Sequence, residues 1–151
     1  MLLPGVSGTG PSIALQRLRG DAAGLWLEPR VQDDRLASTR RLTPTRWSRE
    51  DLVAAADWFR LVADGVQPVS RHLWFAEPAV AFGVVEMTDA HAALDVCLLH
   101  DVEVLRPTLT GAGCHPSQGD DRFEYLTVDV VREAVAHAAR TWSRWAEALR
   151  A

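Results

Sequence analysis

The sequence predicts an α+β domain in which an antiparallel β-sheet of about six strands carries two packed α-helices. Two segments repeat apolar residues at three- and four-residue spacing, which is the periodicity of helices buried on one side. Other short segments alternate apolar and polar side chains, as half-buried strands do. A tight turn between two of these segments predicts an antiparallel hairpin, and strands with helices on one side make a layered α+β fold.

The length and composition fit one domain. The chain has 151 residues, of which 48% are hydrophobic and 24% charged. A domain of this size buries roughly 70% of the surface of its unfolded chain, so it needs no metal or disulfide to fold. Residues 1–11 are rich in Gly, Ser and Pro and predict a flexible N-terminal arm. Residues 12–151 are expected to form the single α+β domain.

The first strands are predicted from alternation. The segment SIALQRL (12–18) places apolar and polar side chains in turn, and LWLEPRV (25–31) follows after a glycine-bracketed turn. Pro29 lacks a main-chain N–H, so we expect it to end this second strand or to confine it to a sheet edge. A third strand within 36–43 is left open.

The first helix has a clear start and end. Ser48 is followed three residues later by Asp51, which is a capping-box pattern. Acidic residues at this end favour the positive pole of the helix dipole. Gly65 supplies the residue that commonly follows a helix, so we predict a helix from Ser48 to about Asp64.

An apolar run, LWFAEPAVAF, is interrupted by Glu77-Pro78. Because proline cannot donate to a β-ladder, the run is predicted to split into strands Leu73–Ala76 and Ala79–Glu86. A turn at Thr88-Asp89-Ala90 then leads into a strand over Ala92–Leu99. The last two strands are expected to pair as an antiparallel hairpin.

The last third begins with a polar, Gly- and Pro-containing stretch over Arg106–Arg122. A connection this long in a small domain is either functional or mobile. A strand over Phe123–Val128 follows. Asp129 is predicted to cap a long helix that reaches about Leu149, with Trp142 and Trp145 on its apolar stripe.

Several reaction types are excluded by residue type. All sixteen basic residues are Arg, so Lys-based Schiff-base, phosphate-loop and general-base chemistry is absent. No G-x-S-x-G elbow and no Gly-rich nucleotide loop is present, and we predict no cofactor. Two cysteines, no recognisable signal peptide and no apolar run of membrane-spanning length lead us to expect a cytoplasmic protein without a membrane segment.

Three candidate chemical sites are weak on spacing. Cys97, His100-Asp101 and Cys114-His115 lack the short paired spacing of zinc ligands, so we predict no metal site. Cys114 and His115 in the long loop could form a thiolate–imidazole pair, which keeps a small hydrolase as an alternative. Carboxylates such as Glu86 and Asp95 on adjacent strands fit the solvated face of a sheet better than an acid–base pair.

The densest charge feature is a run of arginines between residues 30 and 49 that is opposed only by Asp33 and Asp34. The run contains a single aromatic residue, Trp47, which gives little support for base stacking, and the net charge of −4 does not suit a polyanion. We therefore expect a protein partner rather than nucleic acid. The predicted partner-binding residues are Arg30, Arg35, Arg40, Arg41, Arg46, Arg106 and Arg122.

Two motifs carry a family resemblance over roughly residues 12–148. The first helix ends in W-F-x-x-V-A-D-G, and the next apolar segment reads F-x-E-P-x-x-x-F. With a late strand and a Trp-containing final helix, this order resembles the WapI-type immunity proteins and their actinobacterial relatives of unassigned function. The Arg-rich connector and the loop holding Cys114 and His115 depart from the family pattern.

The resemblance implies a non-enzymatic protein that binds and neutralises a cognate toxin made by the same cell. The lack of an assembled reactive group in the sequence agrees with that expectation. Two alternatives stay open: a structural or accessory subunit that assembles with itself or docks on a larger complex, and the small hydrolase described above. A large homo-oligomer in solution would favour the structural or accessory subunit.

Overall fold

The α+β class and the two helices are confirmed. The structure, a computed structural model, describes residues 1–3, 11–21, 23–33, 38–42, 44–73, 80–99 and 123–149. These residues form nine strands in two antiparallel sheets, where the sequence predicted about six strands in one. The helices lie over a core that both sheets share.

The elements follow one another as strands, a helix, strands and a helix. The strands are β1 (Leu2–Leu3), β2 (Pro11–Asp21), β3 (Gly24–Asp33), β4 (Ser38–Arg41), β5 (Thr45–Trp47), β6 (His72–Leu73), β7 (Val80–Met87), β8 (His91–Leu99) and β9 (Phe123–Val131). The helices are α1 (Arg49–Ala63) and α2 (Arg132–Ala148). The third strand that the sequence left open within 36–43 is β4.

The first sheet has the order β1-β2-β3-β4, with β5 also paired to β3. The strand with Pro29 therefore lies inside this sheet, and our prediction of an edge strand or a strand end at Pro29 is wrong. On one side of β3, β4 pairs with residues 30–33 and β5 with residues 25–27, so Pro29 falls in the gap between them. On the other side Pro29 is opposite Leu15. A proline is tolerated here because neither neighbour needs its N–H.

The second sheet has the order β6-β7-β8-β9. β7 and β8 form the predicted antiparallel hairpin, and β9 pairs with β8 along its whole length. Every residue from Val80 to Val84 is buried, so this part of the strand is covered on both faces. Glu77-Pro78, where we predicted the break in the apolar run, lies outside the described residues.

Helix α1 begins and ends as the sequence predicts. Ser48 is the N-cap, and its hydroxyl accepts a hydrogen bond from the Asp51 N–H at 3.1 Å. The Asp51 carboxylate accepts in return from the Ser48 N–H at 2.8 Å, which completes the capping box. Gly65 has φ +73°, a left-handed conformation that glycine adopts at little cost.

Helix α2 begins later than predicted. Asp129 lies within β9, opposite Ala93 of β8, and does not cap the helix, so this prediction is wrong. The N-cap is Val131, whose side chain makes no capping hydrogen bond. The β8–β9 ladder continues to Val131, opposite His91, and therefore overrides the local capping preference of aspartate.

Aromatic side chains join the two helices to the two sheets. Trp142 of α2 lies 5.1 Å between ring centroids from Trp47 of β5 and 6.2 Å from Phe59 of α1. Phe59 in turn contacts Phe82 of β7 edge-to-face at 5.0 Å. All four side chains are at most 2% exposed, so one continuous core spans both sheets.

The start of the chain belongs to the fold. We predicted a flexible arm over residues 1–11, but Leu2–Leu3 pairs with β2 and the Leu3 side chain is fully buried. Residues 4–10 lie outside the described residues. Neither described helix has the length and hydropathy that crossing a bilayer requires.

Candidate functional site

One face of the first sheet is apolar and the other is polar, because the side chains of β3 alternate. Leu25, Leu27 and Val31 are at most 1% exposed and face the core. Trp26, Glu28, Arg30 and Gln32 occupy the alternate positions and are half-buried or exposed. The second set lies on the outer side of the sheet.

Neighbouring strands add three arginines to the outer side. Residues that are directly opposite in antiparallel strands share a face, and Arg30 is opposite Arg41 of β4. Trp26 lies between Arg46 of β5 on one side and Arg19 of β2 on the other. We call this surface the arginine face; its members are Arg19, Trp26, Glu28, Arg30, Arg41 and Arg46.

A β-bulge places Arg19 on this face. The register of β2 against β3 shifts between Arg17 and Arg19, so Leu18 is an extra residue in the ladder. Regular alternation would have set Arg17 and Arg19 on the same face. With the shift, the Arg19 guanidinium lies 5.0 Å from the centroid of the Trp26 ring, which is cation–π distance.

Glu28 is the acidic member of the arginine face. Its carboxylate accepts a hydrogen bond from Arg30 Nε at 2.7 Å and lies 3.9 Å from Arg41 Nε. The Glu28 side chain is 14% exposed and the Arg41 side chain 68%. The largely covered carboxylate therefore fixes Arg30, while Arg41 lies near it without a hydrogen bond and keeps most of its surface open to a partner.

A groove of about 570 Å³ adjoins the arginine face along the edge of β2 that β1 covers only in part. Arg30 belongs to both. One wall is β2, with the start of the chain, and the other wall is α2. The lining residues are Met1, Ala14, Leu15, Gln16, Arg17, Arg30, His137, Thr141, Arg144 and Trp145.

The groove is electropositive. Three of the described lining residues are arginines, and none of the described ones is acidic. The Met1 amino group donates a hydrogen bond to the Leu15 carbonyl oxygen at 2.9 Å. Burial lowers the pKa of this amino group below its ordinary value of 8.0, and the charge of Arg144 lowers the pKa further. An occupant that carries negative charge suits such a groove.

The structure brings together three of the seven predicted partner-binding residues: Arg30, Arg41 and Arg46. The main chain of Arg40 is opposite Val31 in the ladder, one position out of phase with the Arg30–Arg41 pair. The other three predicted residues, Arg35, Arg106 and Arg122, lie outside the described residues.

Three further arginines at this site were missed by the sequence analysis: Arg17, Arg19 and Arg144. Arg17 and Arg19 lie outside the run that was noticed. The alternation over residues 12–18 predicted the strand that contains Arg17, but it did not predict the bulge that places Arg19. Arg144 reaches the groove only because the tertiary fold places α2 across it from β2, for which no local signal exists.

The other chemical candidates do not assemble in the described part of the chain. Cys97 is buried, with 7% of its surface exposed. The His72 ring packs closely over Gly83, so closely that a Cβ added at Gly83 would lie 2.6 Å from the ring. Asp95 accepts a hydrogen bond from the Thr127 hydroxyl at 2.7 Å on the exposed side of the second sheet. No three His, Cys, Asp or Glu side chains among the described residues are grouped as metal ligands. Cys114-His115 lies outside them.

Comparison with known proteins adds no relative to this geometry. No protein-family model, no curated protein and no solved structure matches the chain.

Proposed function

We propose that this chain is a non-enzymatic, immunity-type domain that binds an acidic surface of a cognate toxin through the arginine face and thereby neutralises the toxin. The observation that carries the proposal is the grouping of four arginines around Trp26, with Glu28 as the acidic member, on one side of a sheet. The immunity role itself rests on the sequence resemblance to the WapI-type family.

The composition of this face supports protein recognition. Trp and Arg are the residues most enriched among those that dominate binding energy at protein interfaces. Arg30 is held by Glu28 and Arg19 by Trp26, so both guanidiniums lose little conformational freedom on binding. A set of like charges on a rigid sheet also speeds encounter with an oppositely charged partner.

The direct test is co-purification with the toxin-like proteins encoded beside this gene. The native protein is expected to bind one of them and to restore growth to cells that express it. A triple charge reversal, Arg19→Glu, Arg41→Glu and Arg46→Glu, is expected to raise the Kd by about 100-fold or more, because the face would then repel an acidic partner.

A matched control reverses two exposed arginines on other elements, Arg71→Glu and Arg140→Glu. Its Kd should stay within about threefold of the native value. The proposal fails if no neighbouring gene product is retained by the native protein. It also fails if the triple reversal binds and protects as well as the control does.

A further inference from the structure

Among the described residues, the edge of β2 that borders the groove has no pairing partner beyond Leu15. β1 pairs with β2 only beside Ile13 and Ala14, and the Met1 main chain extends this contact to Leu15. On this side of β2, no other described strand pairs with residues 16–21. A strand edge without a partner is a template for an added strand, and residues 14–17 of this edge line the groove.

The main chain of Arg17 points to this open edge. Leu15 directs both its N–H and its C=O at Met1, at 2.8 and 2.9 Å. In an antiparallel ladder, every second residue directs these groups to the same side. Leu15 is opposite Pro29, which has no N–H. This is consistent with Leu15 directing its hydrogen-bonding groups to Met1 and away from Pro29. Arg17 therefore presents one donor and one acceptor to the groove.

The side chains around this edge define what can enter. Arg17 and Arg144 are exposed and line the groove from its two walls, and no described residue of the lining carries a carboxylate. Trp145 and Leu15 supply apolar surface beside them. The bulge at Leu18 ends the regular ladder directly after Arg17, so an added strand pairs over a short stretch and depends on the arginines for the rest of its affinity.

We infer that the groove takes an extended acidic segment of the protein partner, which adds as a strand beside Arg17 and sets its carboxylates against Arg17 and Arg144. This inference rests on the proposed function and names its docking mode. Strand addition derives affinity from main-chain hydrogen bonds and specificity from alternate side chains. An occupant with alternating acidic and apolar residues can place its carboxylates against the arginines and its apolar side chains against Trp145 and Leu15.

The probe is a peptide of about ten residues that alternates Glu and Val and is blocked at both ends. Its binding to the ¹⁵N-labelled chain is followed by NMR. The expected result is saturable binding with amide shifts centred on residues 15–17. Arg17→Ala keeps the main-chain N–H and is expected to weaken binding by about fivefold, whereas Arg17→Pro also removes the donor and is expected to weaken binding by a further tenfold or so.

A second measurement covers the case in which Arg17→Pro disturbs folding. The same peptide with N-methyl groups at alternate residues cannot pair as a strand, and we expect it to lose binding to the native chain. The inference is overturned if the methylated and unmethylated peptides bind equally, or if no binding is detected up to about 1 mM. It is also overturned if single-stranded RNA displaces the peptide and binds more tightly.

The two proposals fail in different ways. If the triple reversal of the arginine face abolishes binding of the natural partner but Arg17→Pro does not, the proposed function stands and strand addition is wrong. If the triple reversal has no effect on that partner, the arginine face is not the interface, whatever the peptide does.

Discussion

Arg132, the first residue of α2, donates a hydrogen bond from Nε to the carbonyl oxygen of Ala63, the last residue of α1, at 2.8 Å. The same guanidinium reaches the Asp89 carbonyl oxygen at 3.2 Å, and the Arg132 N–H donates to the Ala90 carbonyl oxygen at 2.9 Å. The Arg132 side chain thus satisfies a C-terminal carbonyl group of α1 and links the end of α1 to the β7–β8 turn and to the start of α2.

Replacing Arg132 with Met keeps the apolar stem and the main-chain bond to Ala90, and it removes the guanidinium hydrogen bonds to Ala63 and Asp89. Hydrogen bonds from a charged donor contribute about 1.5–3 kcal/mol, so we expect the free energy of unfolding to fall by about 2 kcal/mol. Urea denaturation followed by circular dichroism measures this. Arg140→Met on the exposed side of α2 is the matched control and should change stability by less than about 0.5 kcal/mol. Equal losses in both variants would contradict the role of Arg132.

Replacing Gly65 with Ala tests the close approach of Arg132 to the end of α1. The residue has φ +73°, and an added Cβ would lie 2.8 Å from Arg132 Nη2. A left-handed conformation costs a residue with a Cβ about 1–2 kcal/mol, and the contact with the guanidinium adds to this.

The two effects separate in a double-mutant cycle. In an Arg132→Met background, Gly65→Ala should be less costly than in the native protein, because only the backbone term remains. Strict additivity of the two changes in urea denaturation would show that the guanidinium yields without cost.

Replacing Ser48 with Ala removes the N-cap of α1. The loss of the hydroxyl that accepts from Asp51 N–H should lower the free energy of unfolding by about 1 kcal/mol. Ser143→Ala in the middle of α2 is the matched control. Ser143 is exposed there, and alanine is the better helix former, so the control should be neutral or slightly stabilising. Thermal denaturation distinguishes the two signs.

Replacing Arg19 with Ala tests the contact with Trp26. An exposed cation–π contact is worth about 0.5–1 kcal/mol, so the effect on stability should be small. The sharper measurement is ¹⁹F NMR of protein labelled with fluorotryptophan, in which the Trp26 resonance should shift. Arg71→Ala is the control and should leave that resonance in place. An unchanged Trp26 resonance in the Arg19 variant would show that the two side chains do not stay in contact in solution.

Local sequence patterns were sufficient to predict those elements whose boundaries depend only on residues within the element. Ser48, Asp51 and Gly65 specify where α1 starts and stops, because caps act through hydrogen bonds within one turn. Alternation located β2, β3 and β9, the proline-interrupted apolar run located β7, and the turn after β7 predicted the hairpin with β8. The grouping of Arg30, Arg41 and Arg46 was anticipated only as closeness in sequence.

Pairing between strands decided what the local patterns could not. Pro29 reads as a strand end, yet it lies within a central strand because β4 and β5 leave a gap opposite it. Asp129 reads as a helix cap, yet its place opposite Ala93 keeps it in β9. For Asp129, a ladder formed with a distant segment outweighs a capping preference worth about 1 kcal/mol. For Pro29, the gap between β4 and β5 removes the conflict, because no neighbour needs its N–H.

The sequence by itself determined the α+β class, both helices and the run of arginines that pointed to a partner surface. Only the tertiary structure decided that there are two sheets, that a bulge sets Arg19 against Trp26, and that Arg144 shares a groove with Arg17. The physical reason is that helix caps and side-chain periodicity depend on neighbours a few residues away. Strand register, bulges and helix placement instead depend on contacts between segments that are far apart in sequence, and local sequence patterns do not encode those contacts.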